Sequence, residues 1–293
     1  MDLEEFSFRA PDGREIRVRS APESAGYPVL VHHGTPGSRH LFPPNVEEAA
    51  RRGLRLIAWD RPGYAGTPGL PGRTIADGAA EADALATALG VSRFATWGFS
   101  GGGGYALACA ARLPNAVTAT VVIASLAPYD DEIADWARGW ATEAEVHRYF
   151  ADPVAARQQF RADAAWYRES GSTPEGWFAR WGEAAGADEA HSRPVAEHLA
   201  LIFRESMRNG DEGWWEDWVA YLSPWGFDVG DIRVPVQLWH GGGDAAAAVG
   251  HGRWLAEHIP GVDAHFIEDE DHTNIEALHQ VEAWEWMLAA IVK

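Results

Sequence analysis

Short apolar segments alternate with longer amphipathic segments over most of this chain. Near the start, residues 6–8 and 14–19 alternate apolar and polar positions around Pro11-Asp12-Gly13, and this pattern predicts an antiparallel β-hairpin. The later apolar segments hold few polar residues, which is typical of parallel strands that are covered on both faces. The strands predicted in this way are residues 28–32, 54–59, 93–97, 117–124, 234–239 and 264–267.

The segments between these strands have the apolar spacing of helices. In residues 74–89, apolar side chains recur every three or four positions and share one face, from Ile75 to Leu89. Residues 105–112 and the segment that starts at Asn274 are also predicted to be helical. Because strands that alternate with helices form βαβ units, the pattern predicts an α/β fold with a mainly parallel sheet.

The alternation stops between residues 126 and 226, where the pattern is helical throughout. We therefore divide the chain into an α/β core of residues 1–125 and 227–293 and a helical insertion of residues 126–226. The helices predicted in the insertion are residues 132–140, 143–150, 154–169, 173–185, 195–207 and 213–220. Tryptophans are concentrated there, and we expect most to form the core of a helical layer and some to line a pocket that favours apolar groups. They are Trp136, Trp140, Trp166, Trp177, Trp181, Trp214, Trp215, Trp218 and Trp225.

A lone serine lies among glycines in Gly98-Phe99-Ser100-Gly101-Gly102, between a predicted strand and a predicted helix. A strand that turns sharply into a helix needs small residues on both sides of the turn, and the residue at the apex is raised clear of the sheet. The motif therefore predicts that Ser100 is a nucleophile. The backbone N–H of Gly101 would lie at a helix N-terminus, where it can stabilise an oxyanion.

A serine nucleophile needs a base, and the base needs an acid that orients it. Asp244 and His272 follow two later predicted strands, so they complete the chain order serine, acid, histidine. In the loop after residues 28–32, Thr35 is the natural second oxyanion donor, since Pro36 has no N–H. Loops at the carboxyl edge of one parallel sheet can bring these groups together.

Taken together, the motifs resemble the serine-dependent α/β-hydrolase family. They are His33-Gly34-Thr35-Pro36-Gly37, Asp60-Arg61-Pro62-Gly63-Tyr64, Gly98-Phe99-Ser100-Gly101-Gly102, Gly241-Gly242-Gly243-Asp244 and Asp271-His272. The resemblance implies a mostly parallel eight-stranded sheet with helices on both faces and a cap formed by the insertion. It also implies that Ser100, His272 and Asp244 form a catalytic triad beside an oxyanion hole of Thr35 and Gly101. Some members take the acid from the loop after the sixth strand, so Asp130 stays an alternative to Asp244.

The composition limits the partners of this protein. Its 293 residues include 43 acidic and 24 basic side chains, which give a net charge of −19. This charge argues against nucleic acid and anionic membranes as partners and favours a small-molecule substrate. No signal peptide is readable and no apolar stretch approaches the ~20 residues of a membrane span, so we expect a cytoplasmic protein of open oligomeric state. Cys109, the only cysteine, lies on a predicted core helix, where a buried thiol is expected.

Several cofactor chemistries are excluded by the residue types. Lysine occurs only at Lys293, so there is no Schiff-base lysine and no lysine beside the glycines after Ser100 that could bind a phosphate. We expect no cofactor and no metal. His32, His33 and His240 lie at predicted strand ends but lack the spacing of a metal site. We expect His33 to brace its loop and Arg61 to tie loops together.

The favoured interpretation is a serine hydrolase that cleaves a small, apolar ester or lactone through an acyl-enzyme. Three alternatives stay open: an amidase or an aminopeptidase similar to proline iminopeptidases, a lyase or cyclase, and a ligand-binding protein with little turnover. The alanines at 245–248 support the binding protein, because they could leave Asp244 poorly placed. Acidic residues of the insertion could hold a substrate amine, although we prefer to interpret them as a solvated helix face. They are Glu205, Asp211, Glu212, Glu216 and Asp217.

Overall fold

The structure, a computed structural model, describes residues 1–129, 143–179 and 189–292. Its eight strands form one sheet in the order β1-β2-β4-β3-β5-β6-β7-β8, in which β2 pairs antiparallel with β1 and β4 and the other pairs are parallel. The predicted α/β fold and its hairpin are therefore confirmed. The strands are β1 (Glu4–Arg9), β2 (Glu15–Ser20), β3 (Tyr27–His32), β4 (Leu54–Trp59), β5 (Phe94–Phe99), β6 (Val117–Ile123), β7 (Val236–Gly241) and β8 (Asp263–Ile267).

Helices cover both faces of this sheet. Those of the core are α1 (Pro43–Arg51), α2 (Asp77–Ala88), α3 (Gly103–Arg112), α9 (Val249–His258) and α10 (Asn274–Ile291). The described helices of the insertion are α4 (Glu143–Ala151), α5 (Pro153–Glu169), α6 (Pro174–Trp177), α7 (Glu189–Ser206) and α8 (Glu212–Tyr221). Within the described residues, no helix combines the length and the apolar character that crossing a bilayer requires.

The core consists of two apolar layers, one on each face of the sheet. Alternate residues of each strand face opposite sides, so Leu30 of β3 belongs to the layer under α2 and α3, while Val29 belongs to the layer under α1 and α10. Cys109 is fully buried in the first layer, and burial raises the pKa of its thiol well above its usual value. This finding agrees with the expected core thiol.

Three core helices differ from the sequence-based expectation. Helix α2 begins at Asp77 and not at residue 74, because the Asp77 carboxylate accepts hydrogen bonds from the Thr74 backbone N–H and hydroxyl (2.7 and 2.9 Å) and holds a separate turn. Helices α1 and α9 are not predicted by the sequence pattern. Two prolines open α1, where a missing N–H costs nothing, and glycines interrupt the apolar pattern of α9.

The insertion is built around an aromatic cluster. Tyr149 packs on Trp218 with ring centroids 4.8 Å apart, and Phe160 packs on Trp214 at 4.2 Å. Helices α4, α5, α7 and α8 match their predictions, although α7 begins six residues earlier than expected and continues through Pro194. The helix predicted at 173–185 is α6 within the described residues, and the one predicted at 132–140 lies outside them. The division of the chain into core and cap domains stays a prediction.

Candidate active site

Ser100 lies at the apex of a sharp turn between β5 and α3. It opens a single 3₁₀ turn, Ser100–Gly102, and its φ of 52° is in the left-handed region, which is strained for a residue with a side chain. The flanking glycines are required by space, since a Cβ at Gly98 would lie 2.5 Å from the Gly102 carbonyl oxygen and one at Gly102 would overlap the His32 carbonyl. The turn predicted from the glycine pattern is therefore present.

The loop after β3 lies against this turn. A Cβ built on Gly101 would lie 3.2 Å from the Thr35 backbone nitrogen, and one built on Gly34 would lie 3.6 Å from the Ser100 Cβ. The two residues predicted as oxyanion donors, Thr35 and Gly101, are thus neighbours beside Ser100. His33 braces the loop as expected, because its Nδ1 donates to the Gly34 carbonyl (2.8 Å) and its Nε2 accepts from the Arg61 N–H (3.3 Å).

Asp244 and His272 meet at the carboxyl edge of the sheet, after β7 and β8. The Asp244 Oδ2 atom accepts a hydrogen bond of 2.7 Å from His272 Nδ1. Its Oδ1 atom accepts from the backbone N–H groups of Ala246 (2.8 Å) and Ala247 (2.7 Å). Because a carboxylate only accepts, the proton of the His272 ring is on Nδ1, and Nε2 keeps the lone pair that a general base uses.

The plain alanine stretch after Asp244 therefore does not misplace this acid. Its backbone amides donate to one carboxylate oxygen of Asp244, and the other oxygen accepts from His272. Burial by itself would raise the pKa of Asp244, but the hydrogen bond from His272 and the amide of Ala247 outweigh it and hold that pKa below its usual value. Asp244 is ionised at neutral pH as a result.

His240 packs behind this pair. Its Nε2 donates to the Ala247 carbonyl (2.8 Å) and lies 3.5 Å from Asp244 Oδ2. Burial lowers the pKa of His240, so its ring is neutral. It therefore does not compete with His272 for the negative charge of Asp244. Among the described residues, no group of three histidine, cysteine or acidic side chains lies close enough together to hold a metal ion. The other candidate acid, Asp130, lies outside the described residues.

Ser100 and His272 line one cavity of about 1120 Å³ between the core and the insertion. The phenyl ring of Phe99 lies against the His272 ring at 5.0 Å. Four tryptophans of the insertion line this cavity, as expected for an apolar roof: Trp166, Trp177, Trp214 and Trp218. A pocket of this size and lining suits a small organic molecule.

A buried charge network joins α8 to the loop after β3. The Arg61 guanidinium donates to the Gly34 carbonyl (3.0 Å), to the Thr35 hydroxyl (2.9 Å) and to the carboxylate of Asp217 (2.6 Å). Asp217 is fully buried and also accepts from the hydroxyls of Thr35 (2.5 Å) and Tyr64 (2.7 Å). Burial would raise the pKa of Asp217, but its two arginine partners, Arg61 and Arg73, hold that pKa far below its usual value.

This network corrects one expectation. The acidic residues of the insertion do not form a solvated face, except for Glu212, whose side chain is 56% exposed. The other four are buried and paired with arginines: Glu205, Asp211, Glu216 and Asp217 with Arg208, Arg157, Arg73 and Arg61, respectively. Their charges are compensated within the protein, which leaves them poorly suited to hold a substrate amine.

A signal for this burial was present in the sequence. Gly213 and Ala220 share a face of α8 with Glu216 and Asp217, and small residues at such spacing indicate close packing. A Cβ at Gly213 would lie 2.7 Å from the Tyr64 ring, so the helix contacts the core directly. The prediction that Arg61 ties loops together did point to this contact, but its acidic partner was missed.

Comparisons with known proteins agree with this architecture. A family model described as the alpha/beta hydrolase fold matches residues 27–276. The chain is 30% identical over 215 residues to a pimeloyl-[acyl-carrier protein] methyl ester esterase from Aromatoleum aromaticum, a match that covers 71% of this chain and 76% of that protein.

Solved structures with the same fold include two with named ester or lactone activities. The structure is similar to an esterase from Rhodococcus sp. ECU1013, with a TM-score of 0.70 and 21% identity over 99% of this chain and 100% of the other. It is also similar to the enol-lactonase from Burkholderia xenovorans LB400, with a TM-score of 0.66 and 18% identity over 98% of this chain and 100% of the other. At such identities these matches show the fold alone.

Proposed function

The chain belongs to the α/β-hydrolase family and is a hydrolase, and on that premise we propose that it cleaves a small ester or lactone with Ser100 as nucleophile. One observation carries the proposal. The Asp244 carboxylate fixes His272 with Nε2 as acceptor, in the cavity that also contains the strained Ser100. Acyl transfer requires a serine nucleophile and a base oriented by an acid, and this cavity contains both.

In the first half of the reaction, His272 Nε2 takes the hydroxyl proton of Ser100 as the serine oxygen attacks the substrate carbonyl. The Asp244 carboxylate stabilises the imidazolium ion that forms. The backbone N–H groups of Thr35 and Gly101 donate to the oxygen of the tetrahedral intermediate, on which negative charge develops. His272 then gives its proton to the leaving alcohol, and an acyl-enzyme remains.

In the second half, a water molecule takes the place of the alcohol. His272 removes one proton from this water, whose oxygen attacks the acyl carbonyl, and the same N–H groups stabilise the second oxyanion. Collapse of that intermediate releases the carboxylic acid and returns the proton to Ser100. For a lactone, the alcohol and the acid remain parts of one product molecule.

The substrate class is proposed from the cavity and from the relative. Aromatic side chains of the insertion form much of the cavity wall, which favours an apolar acyl or alcohol group. The relative from Aromatoleum aromaticum is named as a methyl ester esterase, and this name supports an ester over an amide. Because the acidic residues of the insertion are paired with arginines, they no longer support the alternative of an aminopeptidase, which keeps only the motif at residues 33–37 in its favour.

The proposal is tested with a fluorophosphonate probe and steady-state assays. We expect a single adduct, located by peptide mass on Ser100, and hydrolysis of short p-nitrophenyl esters that Ser100→Ala reduces by about 10³-fold or more. Labelling elsewhere, or hydrolysis that survives Ser100→Ala, would contradict the proposed nucleophile. A clear preference for proline arylamide over these esters would mean that the substrate class is an amide and not an ester.

A further inference from the structure

A carboxylate that the proposed mechanism does not use lies in the same cavity as Ser100. Glu276 is in the first turn of α10, four residues after His272, and it lines the cavity. Its Oε1 atom accepts a hydrogen bond of 3.0 Å from the indole Nε1–H of Trp97, which is three residues before Ser100 on β5. Both residues therefore lie close in the chain to the proposed catalytic groups.

The cavity continues from these residues along α10. Ala277, Gln280 and Trp284 also line it, at the three- and four-residue spacing of one helix face. From Glu276 to Trp284 this face extends about 12 Å. Val31, Leu56 and Ala58 of the sheet form the apolar wall on the same side. The wall is thus a long apolar surface that carries two polar groups, the side chains of Glu276 and Gln280.

Both polar groups offer acceptors. The Gln280 amide nitrogen donates weakly to the Ala277 carbonyl (3.4 Å), while its Oε1 atom is buried without a hydrogen-bond partner. Among the described residues, no arginine or histidine forms an ion pair with Glu276, and burial raises the pKa of this carboxyl. Because an unsatisfied buried acceptor is costly, an N–H donor from a ligand would gain from the Gln280 Oε1 atom, and the Glu276 carboxylate can accept a further bond beside the one from Trp97.

The charges around the cavity favour a cation. The lining residues that carry a formal charge at neutral pH are Asp163, Asp271, Glu276 and Arg148. Asp271 is already occupied, since its carboxylate accepts from the backbone N–H groups of Thr273 and Asn274 (both 2.8 Å) at the start of α10. Glu276 is consequently the carboxylate of this wall that can receive a ligand.

We propose that Glu276 and Gln280 form a subsite for a primary ammonium group on one arm of the substrate, separated from the ester by an apolar chain. The ammonium group supplies three N–H donors, of which Glu276 takes a charge-assisted one. When the Gln280 amide turns about its last side-chain bond toward the cavity, its Oε1 atom takes another. The substrate class is then an ester of an amino-alkanoic acid or of an amino alcohol. This subsite deepens the proposed function and rests on it for the reaction, but its binding step stands alone.

Binding is measured first, by titration calorimetry with hexylamine, 1-hexanol and hexanoate. We expect hexylamine to bind best and hexanoate worst, and we expect Glu276→Gln to raise the Kd of hexylamine by about tenfold. The matched control is Glu282→Gln, which makes the same change on the exposed face of the same helix and should leave that Kd unchanged. Gln280→Met, which removes the second acceptor, should raise the Kd of hexylamine by a smaller factor than Glu276→Gln does.

Equal Kd values for hexylamine in the wild-type protein and in Glu276→Gln would overturn the subsite, as would tighter binding of hexanoate. Glu276→Gln preserves the side-chain size and an oxygen for the Trp97 N–H, so its fold is expected to be kept. A melting temperature within a few degrees of the wild-type value checks this, and if it falls further, the result for Gln280→Met decides.

Turnover is compared with p-nitrophenyl 6-aminohexanoate and the isosteric heptanoate. The ratio of their kcat/KM values should favour the amine in the wild-type enzyme and fall about tenfold in Glu276→Gln. The two proposals fail separately. If neither ester is cleaved while hexylamine binding still depends on Glu276, the ester hydrolase is wrong and the subsite stands. If heptanoate is cleaved through Ser100 and Glu276→Gln leaves the ratio unchanged, the subsite is wrong.

Discussion

The backbone of Ser100 stores strain that a residue without Cβ would release. At a φ of 52°, the left-handed conformation costs a non-glycine residue on the order of 1 kcal/mol or more. We predict that Ser100→Gly and Ser100→Ala are both inactive, but that the glycine variant has the higher free energy of unfolding, by about 1 kcal/mol. Urea unfolding of the two variants provides the comparison, and equal stability would argue against strain at this turn.

The hydrogen bond between Asp244 and His272 leads to a second prediction at this scale. In Asp244→Asn the amide can donate to Nδ1, which moves the ring proton to Nε2 and removes the lone pair that activates Ser100. We expect kcat for a p-nitrophenyl ester to fall by roughly 10³-fold or more, with KM changed little. The control is Asp263→Asn, an exposed residue at the start of β8. Retention of most activity in Asp244→Asn would favour Asp130 as the acid that orients His272.

At the scale of elements, the contact between α8 and the loop after β3 governs both stability and the proposed oxyanion hole. Asp217→Asn leaves Arg61 and Arg73 buried without their shared counter-charge, and breaking such a pair costs about 3–5 kcal/mol. Because the folded pKa of Asp217 is depressed, its contribution is present above the unfolded pKa of ~3.9 and is lost as pH falls further. We therefore expect the wild-type advantage to shrink below about pH 4.

Urea unfolding of both proteins at pH 7 and at pH 3.5 measures this effect. Glu212→Gln, on the exposed side of the same helix, is the matched control and should change stability by less than about 0.5 kcal/mol. A gap between Asp217→Asn and the wild-type protein that stays constant with pH would mean that the depressed pKa is not the source of the stability.

Thr35 connects the same network to catalysis. Thr35→Val removes the hydroxyl that donates to Asp217 and accepts from Arg61, but it keeps the backbone N–H proposed to bind the oxyanion. We predict a fall in kcat of about tenfold with little change in KM, because a small shift of this donor weakens only the transition state. Thr67→Val, in a neighbouring loop outside the cavity lining, serves as the comparison. An unchanged kcat would restrict the network to a structural role.

The elements were easier to predict than the contacts between them. Strand β6 and the turn at Ser100 follow from local patterns: a mostly apolar segment rich in β-branched residues in one case and glycines around a serine in the other. Helix α9 was missed because two glycines and a histidine dilute its apolar face. The burial of Asp217 depends on Arg61, 156 positions earlier, and hydrophobic periodicity contains no information about such a partner.

At the scale of the whole molecule, the net charge of −19 acts on charged substrates before they reach the cavity. We predict that kcat/KM for the anionic mono-p-nitrophenyl ester of adipic acid rises with ionic strength, because salt screens its repulsion by the protein. The neutral heptanoate ester should show no such dependence. Assays between about 20 and 500 mM salt make the comparison, and parallel curves for the two esters would mean that long-range charge has no role.

The whole-molecule expectations from sequence divide in the same way. The eight-stranded sheet with helices on both faces is confirmed, since it depends on the order of patterns along the chain. The cavity shape, and with it the placement of Glu276 beside Trp97, depends on how α10 packs against β5. The sequence predicts a helix after the loop that contains His272. The distance between this helix and the sheet depends on the packing of the whole core, which a local pattern does not determine.

We expect the buried network of Asp217 and Arg61 also to limit how the wall of the cavity can move. Helix α8 is bound to the core by ion pairs between fully buried residues, so it should keep its position beside the cavity. Among the described helices of the insertion, we therefore expect any opening of the cavity to involve α4 to α7 and not α8. A crosslink that immobilised α7 should then slow substrate entry while Ser100, Asp244 and His272 keep their positions.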